Sequence, residues 1–197
     1  MKILVIIGGI LLAGFIGVQL FALKSQNNIE MYPYELVEQY DSFEIRRYQA
    51  RLFSTVKLST GNYKSSSGQG FSVLAGYIFG GNDRNEKIAM TSPVTMTIED
   101  SMTMRFMVPK KWNKEQLPKP NQNNINFVEE PEKIVAAIKF KGWANDKKIE
   151  RYKKQLKTAL KSESIPHLNK FELHGYNAPY EVFNRRNEII VELKQKF

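Results

Sequence analysis

The clearest hydrophobic pattern along the chain is that of one uncharged helix. No Asp, Glu, Lys or Arg occurs between residues 65 and 82, although one-quarter of the chain is charged. Phe71, Leu74 and Ile78 follow the i, i+3, i+7 spacing of a single helix face. The pattern therefore predicts a helix over residues 70–79 with one fully apolar face.

A second apolar stripe lies beside that face. Val73 and Tyr77 form it, so the helix needs cover on more than one side. A sheet covers one side, and the other side needs a loop, a partner, a lipid or a bound apolar ligand. Gly80 and Gly81 are predicted to end the helix, because glycine adopts the left-handed conformation found after helix ends. Residues 88–94 then begin a strand.

Several other segments alternate apolar and polar side chains with a period of two. This period is typical of half-buried antiparallel strands. The apolar positions are Phe43 and Ile45; Leu52, Val56 and Leu58; Val94, Met96 and Ile98; Met104, Phe106 and Val108; Ile134, Ala136, Ile138 and Phe140; and Ile189, Val191 and Leu193.

The order of these elements indicates a duplication. A pair of strands within residues 40–58 precedes the helix of residues 70–79, and a second pair within 125–140 precedes a helix over 146–161. The predicted fold class is α+β, with duplicated strand-strand-helix units forming an antiparallel sheet or open barrel with two helices on it. Residues 110–124, rich in Pro, Asn and Lys, are predicted to be a long surface connection.

The amino terminus carries a separate apolar run over residues 3–23, in which Gln19 is the one strongly polar residue. Two interpretations apply. A retained single-pass anchor is favoured because the run exceeds the roughly 7–15 residues of a signal-peptide core and no A-x-A-like cleavage site follows it. A cleaved signal segment beginning at Lys2 is the alternative. The expected division is anchor or signal 1–23, linker 24–33 and domain 34–197.

The sequence of this segment also suggests how it is oriented in the membrane and whether it self-associates. The slight positive charge at the amino terminus favours a domain outside the cytoplasm, periplasmic or extracellular, and secreted if the segment is cleaved. Gly9, Ala13 and Gly17 stand four residues apart, a spacing that permits an anchor-mediated dimer. Membrane helices use glycine freely, so the simpler interpretation without a dimer is favoured.

The charge of the chain is concentrated in one predicted helix. The formal net charge is +9, and residues 139–161 hold nine basic and two acidic residues. Asn145 or Asp146 is the expected cap, and the lysines are expected to face outward. No stacking aromatic residues are interleaved with the lysines, so the pattern favours a solvated face over a nucleic-acid partner. The apolar positions of this helix are Ile149, Tyr152, Leu156, Ala159 and Leu160.

The inventory of reactive side chains is small. The chain has no cysteine, which excludes disulfides, thiolate metal sites and cysteine nucleophiles. Its two histidines, His167 and His174, belong to no metal-ligand pattern. Alternation after Leu173 places His174 on a solvent face, and His167 follows Pro166 in a predicted loop. The sequence predicts no catalytic residue, no metal site and a protein that is not an enzyme.

Several short strings, taken in order, identify a family. Residues 77–82 and 86–94 closely resemble the signature of the SOUL, or heme-binding protein, family, and the resemblance spans roughly residues 34–197. The further matching strings are Phe43-Glu44-Ile45-Arg46-Arg47-Tyr48, Met104-Arg105-Phe106-Met107-Val108-Pro109, Leu117-Pro118-Lys119-Pro120, Gly142-Trp143-Ala144, Gly175-Tyr176-Asn177 and Arg185-Arg186-Asn187-Glu188.

The resemblance implies a distorted antiparallel β-barrel flanked by two helices. It also implies noncovalent binding of heme or a related tetrapyrrole by a carrier, buffer or sensor. The alternative is a non-enzymatic interaction domain of the same fold that binds another apolar small molecule, a lipid or a protein partner. A fold does not by itself determine a function, so both remain open at this point.

The predicted binding surface is the exposed face of the helix over residues 70–79. Phe71, Leu74 and Ile78 are the candidates for its floor, and Val73 and Tyr77 face the ligand if the first stripe packs on the sheet instead. No histidine precedes residue 167, so axial coordination of iron is expected to be weak or absent.

Arginine and methionine leave further alternatives. The pairs Arg46-Arg47 and Arg185-Arg186 either meet porphyrin carboxylates or form ion pairs with Glu44 and Glu188. Five of the seven methionines lie between residues 90 and 107. They either line a ligand surface or fill core gaps, and alternation buries Met96 and Met104.

Overall fold

The computed structural model describes residues 29–58, 62–98 and 102–194, together with residues 7–9, 11, 14, 17 and 19. Most of the apolar run 3–23 therefore lies outside the described residues, and so do Ala13 of the predicted dimer motif and residues 24–28 of the linker. Within the part of the chain that is described, no helix combines the length and the apolar character needed to cross a membrane.

Among the described residues, the folded unit contains eleven short strands and two long helices. The helices are α1, Tyr63–Ile78, and α2, Asp146–Ser162. The strands are β1 Glu30–Met31, β2 Tyr34–Gln39, β3 Glu44–Tyr48, β4 Arg51–Lys57, β5 Thr91–Ser92, β6 Val94–Thr97, β7 Thr103–Met107, β8 Ile125–Glu130, β9 Lys133–Lys141, β10 His167–Gly175 and β11 Arg186–Leu193. Strands β1 and β5 pair in parallel, and the other nine strands form one antiparallel sheet.

A nine-stranded antiparallel sheet forms the body of the molecule, in the order β2-β3-β9-β11-β10-β6-β7-β4-β8. When β2 is set aside, the order has an internal symmetry. If β3 is exchanged with β8, β4 with β9, β6 with β10 and β7 with β11, the same order results, read in reverse. The predicted α+β fold with duplicated strand-strand-helix units is therefore confirmed. The pseudo-twofold relation places β6 and β10 side by side at the centre of the sheet.

Helix α1 begins earlier than the apolar pattern predicted. The side chain of Asn62 accepts a hydrogen bond from the Ser65 amide at 2.9 Å and caps the helix, whose first residue, Tyr63, stands seven residues before Gly70. Gly70 is buried where a Cβ would lie 3.0 Å from Leu58, so it lets the helix approach the sheet closely. Gly80, with φ of +112°, follows the helix as predicted.

Helix α2 has the amphipathic structure that the sequence predicted. Asn145 caps it by accepting a hydrogen bond from the Lys148 amide at 2.9 Å. Ile149, Leu156 and Leu160 are buried against the sheet, and most of the lysines of the helix are exposed. The two helices cover different parts of the same sheet face, α1 over β4 and β7 and α2 over β9, β10 and β11.

The opposite sheet face curls inward and encloses buried charges. Arg46 and Glu188 are both fully buried and form a two-point ion pair with distances of 2.7 and 3.0 Å. Arg105 contacts Glu172 at 2.5 Å and Glu130 at 2.8 Å in the same interior. This face is therefore a second core, in which buried ion pairs lie among apolar side chains, and the arginine alternative of ion pairing is realised for Arg46.

Two histidine predictions were wrong. His174 is fully buried on this inner face, where its Nε2 lies 3.3 Å from Glu172, because the curled sheet leaves no solvent side at the central strands. His167 is the first residue of β10 and lies in a strand.

The folded unit also includes residues that the sequence assigned to the linker. Glu30 and Met31 pair with β5, and the carboxylate of Glu30 accepts a hydrogen bond from the Lys110 amide at 2.9 Å. Tyr32 is buried and its ring lies 4.4 Å from that of Tyr48. The Tyr32 ring packs in the apolar part of this second core, which explains why packing begins before residue 34.

Candidate functional site

A cleft of about 270 Å³ lies beside α1, above the central strands of the sheet. Its floor comes from the sheet, one wall from the first turns of α1, and its rim from two connections. The lining residues are Tyr63, Ser67, Gly68, Phe71, Val94, Met96, Met104, Trp143, Leu173, Gly175, Asn177, Pro179, Arg185 and Asn187.

The cleft floor follows from the strand register. Met96 of β6 is paired with Leu173 of β10 and with Met104 of β7, so these three side chains form one apolar row on the helix-facing side. In the next row Gly175 stands opposite Val94 and Asn187. Because this row carries glycine and two small or medium side chains at its centre, the sheet leaves open space there.

The wall of the cleft is the amino-terminal half of α1. Phe71 is half-buried, with its ring 5.5 Å from that of Phe106. A Cβ at Gly68 would meet no atom within 4 Å, so this helix position is open towards the cleft. The Tyr63 amide donates to the Asp146 carboxylate at 2.7 Å, which ties the start of α1 to the start of α2 at one end of the cleft.

Trp143 and Arg185 stand together at the rim. The guanidinium carbon of Arg185 lies 3.8 Å from the centre of the Trp143 ring, a close cation–π contact. Asn187 donates to the Gly142 carbonyl at 2.7 Å and so holds the connection that carries Trp143. Half of the Trp143 side chain is exposed to solvent, which leaves an aromatic surface at the mouth of the cleft.

The rim of the cleft is polar and carries a positive charge. Of the residues that the structure describes, none that lines the cleft is acidic, and Arg185 is the one that carries a charge. Burial lowers the pKa of the Arg185 guanidinium and raises the pKa of the Tyr63 hydroxyl. Arginine stays protonated at neutral pH, and Tyr63 stays neutral, so the cleft presents a positive charge next to an apolar floor.

The structure separates the five residues that the sequence proposed as a binding surface. Phe71 lines the cleft. Leu74 and Ile78 are buried against the sheet, and Val73 is half-buried at the same cluster. Tyr77 is buried too, because its hydroxyl donates to the Pro118 carbonyl at 2.9 Å from the connection of residues 110–124. The second stripe of the helix is thus covered by the chain itself.

Several further cleft residues come from the short strings that carry the family resemblance. Residues 142–144, 175–177 and 185–188 are far apart in the chain and converge at the rim and floor of the cleft. Sequence periodicity could not show that these strings lie together, because it describes only the spacing of neighbouring residues. Met96 and Met104 satisfy both alternatives, since they are buried as predicted and also line the cleft.

The lining residues include few atoms that ligate iron. Met96 and Met104 supply thioether sulfur and Tyr63 a phenolic oxygen, whereas His174 lies on the opposite face of the sheet. Across the described ranges, no group of three or more His, Cys, Asp or Glu residues is arranged to hold a metal ion. The prediction that the protein uses no catalytic or metal-binding residue stays a prediction.

Comparison with known proteins gives a consistent pattern. The sequence profile of the SOUL heme-binding protein family matches residues 29–192. Heme-binding protein 2 of Mus musculus is 26% identical over 166 residues, which cover 80% of this chain and 80% of that protein. Heme-binding protein 1 of Xenopus laevis is 23% identical over 156 residues, covering 75% and 82%.

Solved structures share the fold at lower identity. The C-terminal domain of EcmrR has a TM-score of 0.61 at 11% identity, covering 83% of this chain and 99% of that chain. A hydrolase from Listeria innocua has a TM-score of 0.53 at 9% identity, covering 78% and 92%. At these identities the similarity concerns the arrangement of strands and helices and nothing more.

Proposed function

This chain belongs to the SOUL heme-binding protein family, and we propose that it binds heme or a related tetrapyrrole noncovalently in the cleft beside α1. The observation that carries the proposal is the cleft itself, which combines an apolar floor, an aromatic wall and a cationic rim. Ligand sites for flat apolar molecules have this composition, with a few polar groups that orient the ligand.

The size of the cleft defines how the ring is held. Its 270 Å³ lies below the roughly 300–1,000 Å³ of pockets that enclose a drug-sized ligand. We therefore place one edge of the tetrapyrrole over Met96, Met104 and Leu173, with Phe71 beside it, and leave the other edge at the rim by Trp143. A ring held by one edge exchanges readily, which suits a carrier or buffer better than a permanent holder.

Apolar contact is the main contribution to this binding. Bound heme supplies a redox-active iron, and the chain's residues hold the ring and exclude water from its buried edge. The possible iron ligands are the sulfurs of Met96 and Met104 and the hydroxyl of Tyr63, and burial keeps the last of these protonated. We propose that coordination is weak or absent and that the domain has no catalytic activity.

Metal-free protoporphyrin IX is therefore expected to bind almost as tightly as hemin, within about threefold in Kd. The measurement is a pair of absorbance and fluorescence titrations of the purified protein. Hemin binding that is tighter by more than about 100-fold, with the spectrum of a coordinated iron, would contradict the proposal of weak ligation. If neither compound shows saturable binding, the site is wrong and the alternative of an interaction domain replaces it.

Membrane attachment rests on the sequence of residues 3–23 alone. The proposal is that this segment, if retained, keeps the domain close to a membrane and outside the cytoplasm. We propose no nucleic-acid partner, since the lysines of α2 lie on an exposed face without stacking aromatics between them.

A further inference from the structure

We infer that the cleft selects ligands that carry a carboxylate, and that the carboxylate binds to Arg185 at the rim. The ligand class is a flat or elongated apolar acid whose charged end meets the guanidinium while its apolar body covers the floor. The inference rests on the proposed function, because it names the chemistry by which that same cleft orients its ligand.

The structure distinguishes Arg185 from the other three arginines of the two sequence pairs. Arg46 is bound to Glu188 and Glu44, and Arg186 contacts Glu188 at 2.6 Å. Arg47 lies on the surface, within 4 Å of two carboxylates, those of Glu35 and Glu132. Arg185 forms no salt bridge within the described residues, and it is the member of the four that lines the cleft.

Arg185 is also held in one orientation. Its Nη1 donates to the carbonyls of Ala178 and Glu181 at 2.9 and 2.5 Å, and its guanidinium stacks on Trp143. These contacts occupy Nη1 and one face of the planar guanidinium group. The Nε–H is buried without a partner, and Nη2 has a single long contact of 3.5 Å to the Asn177 carbonyl.

The free side of the guanidinium has the geometry that a carboxylate requires. Nε and Nη2 are adjacent donors that bind the two oxygens of one carboxylate in parallel. An orphaned buried donor costs free energy unless a partner supplies the missing hydrogen bond. Because the group is already fixed, a ligand loses little entropy in binding to it.

The surrounding charges favour an anion at this position. Among the described residues, no acidic side chain lines the cleft, and the polar lining residues besides Arg185 are neutral: Tyr63, Ser67, Asn177 and Asn187. Glu181 stabilises the charge of Arg185 from within the same connection, but its two oxygens accept hydrogen bonds from the Asn177 side chain and the Ala178 amide. An incoming carboxylate therefore meets a positive potential without a competing anion on the cleft wall.

The test compares protoporphyrin IX with its dimethyl ester, both delivered in the same detergent, for the full chain and for Arg185→Gln. The full chain is expected to bind the acid about tenfold more tightly than the ester, and Arg185→Gln to lose that preference by weakening the acid alone. Arg151→Gln is the matched control, because Arg151 also stacks on an aromatic ring, that of Tyr152, but lies outside the cleft.

The outcomes separate this inference from the proposed function. If the full chain binds acid and ester equally, or if Arg185→Gln weakens both by the same factor, Arg185 is only a structural clamp of its own connection and the inference fails while the cleft stands. If neither porphyrin binds the full chain, the proposed function fails and the inference with it. The preference of the unmodified chain needs no variant, so its absence would overturn the inference even if Arg185→Gln does not fold.

Discussion

Gly68→Glu is expected to weaken porphyrin binding by at least about 30-fold, or roughly 2 kcal/mol. Gly68 stands on the cleft wall, where a new Cβ meets no atom within 4 Å. The longer side chain would occupy the space of the ligand, and a bound porphyrin would cover its carboxylate. Helical glycine is less favourable than glutamate, so the variant should fold at least as well as the parent. The measurement is a titration with protoporphyrin IX.

Gly76→Glu provides the matched control for this variant. Gly76 is an exposed glycine of the same helix, also without atoms within 4 Å of a new Cβ, and it does not line the cleft. Its substitution makes the same chemical change at a different place, so binding should stay within about twofold of the parent. Equal losses in both variants would show that the ligand does not occupy the cleft.

Arg46→Met is expected to destabilise the domain by about 3–5 kcal/mol. The substitution leaves the carboxylate of Glu188 buried after its two-point partner is removed, with Arg186 and the Tyr176 hydroxyl as its remaining hydrogen-bond donors among the described side chains. The neighbouring Arg47→Met is the control, because its surface ion pairs span 3.7 and 3.8 Å and should contribute less than about 1 kcal/mol. Urea unfolding at neutral pH measures both.

Acid should weaken the parent domain through the same carboxylate. Burial alone would raise the pKa of Glu188, but the hydrogen bonds and charge of Arg46, with Arg186 and Tyr176, lower it to about 2. The ion pair therefore contributes its full stability above the ordinary pKa of 4.5 and loses it as the pH falls towards 2. A small, pH-independent effect of Arg46→Met would show that the pair is not important for folding.

Helical and strand periodicity in the sequence predicted much of the fold. The stripe of Leu74 and Ile78 does pack on the sheet, and the duplicated strand-strand-helix order does produce a sheet with a pseudo-twofold relation. These features depend on local spacing, which one sequence displays directly. The apolar stripe that contains Tyr77 also indicated that a second side of the helix is covered. The connection that contains Pro118 covers it.

The spacing of residues along the sequence could not predict the site. The cleft depends on Gly175 facing Val94 and on two connections that bring Trp143 to Arg185, all of which are tertiary relations between distant residues. Alternation also failed for His174, because it assumes one solvated sheet face and this sheet encloses both. Burying a charged residue such as Arg46 requires a partner more than one hundred residues away, which no short pattern reveals.

Methionine methyl NMR can show directly whether a porphyrin binds in the cleft. The chain has seven methionines, of which Met96 and Met104 line the cleft, while Met107 packs on the opposite sheet face and Met31 is exposed. A porphyrin ring shifts the resonances of methyl groups that lie against it. On titration with metal-free protoporphyrin IX, we predict that the largest saturable shifts occur at Met96 and Met104. Shifts confined to Met31 or Met107, with Met96 and Met104 unchanged, would contradict it.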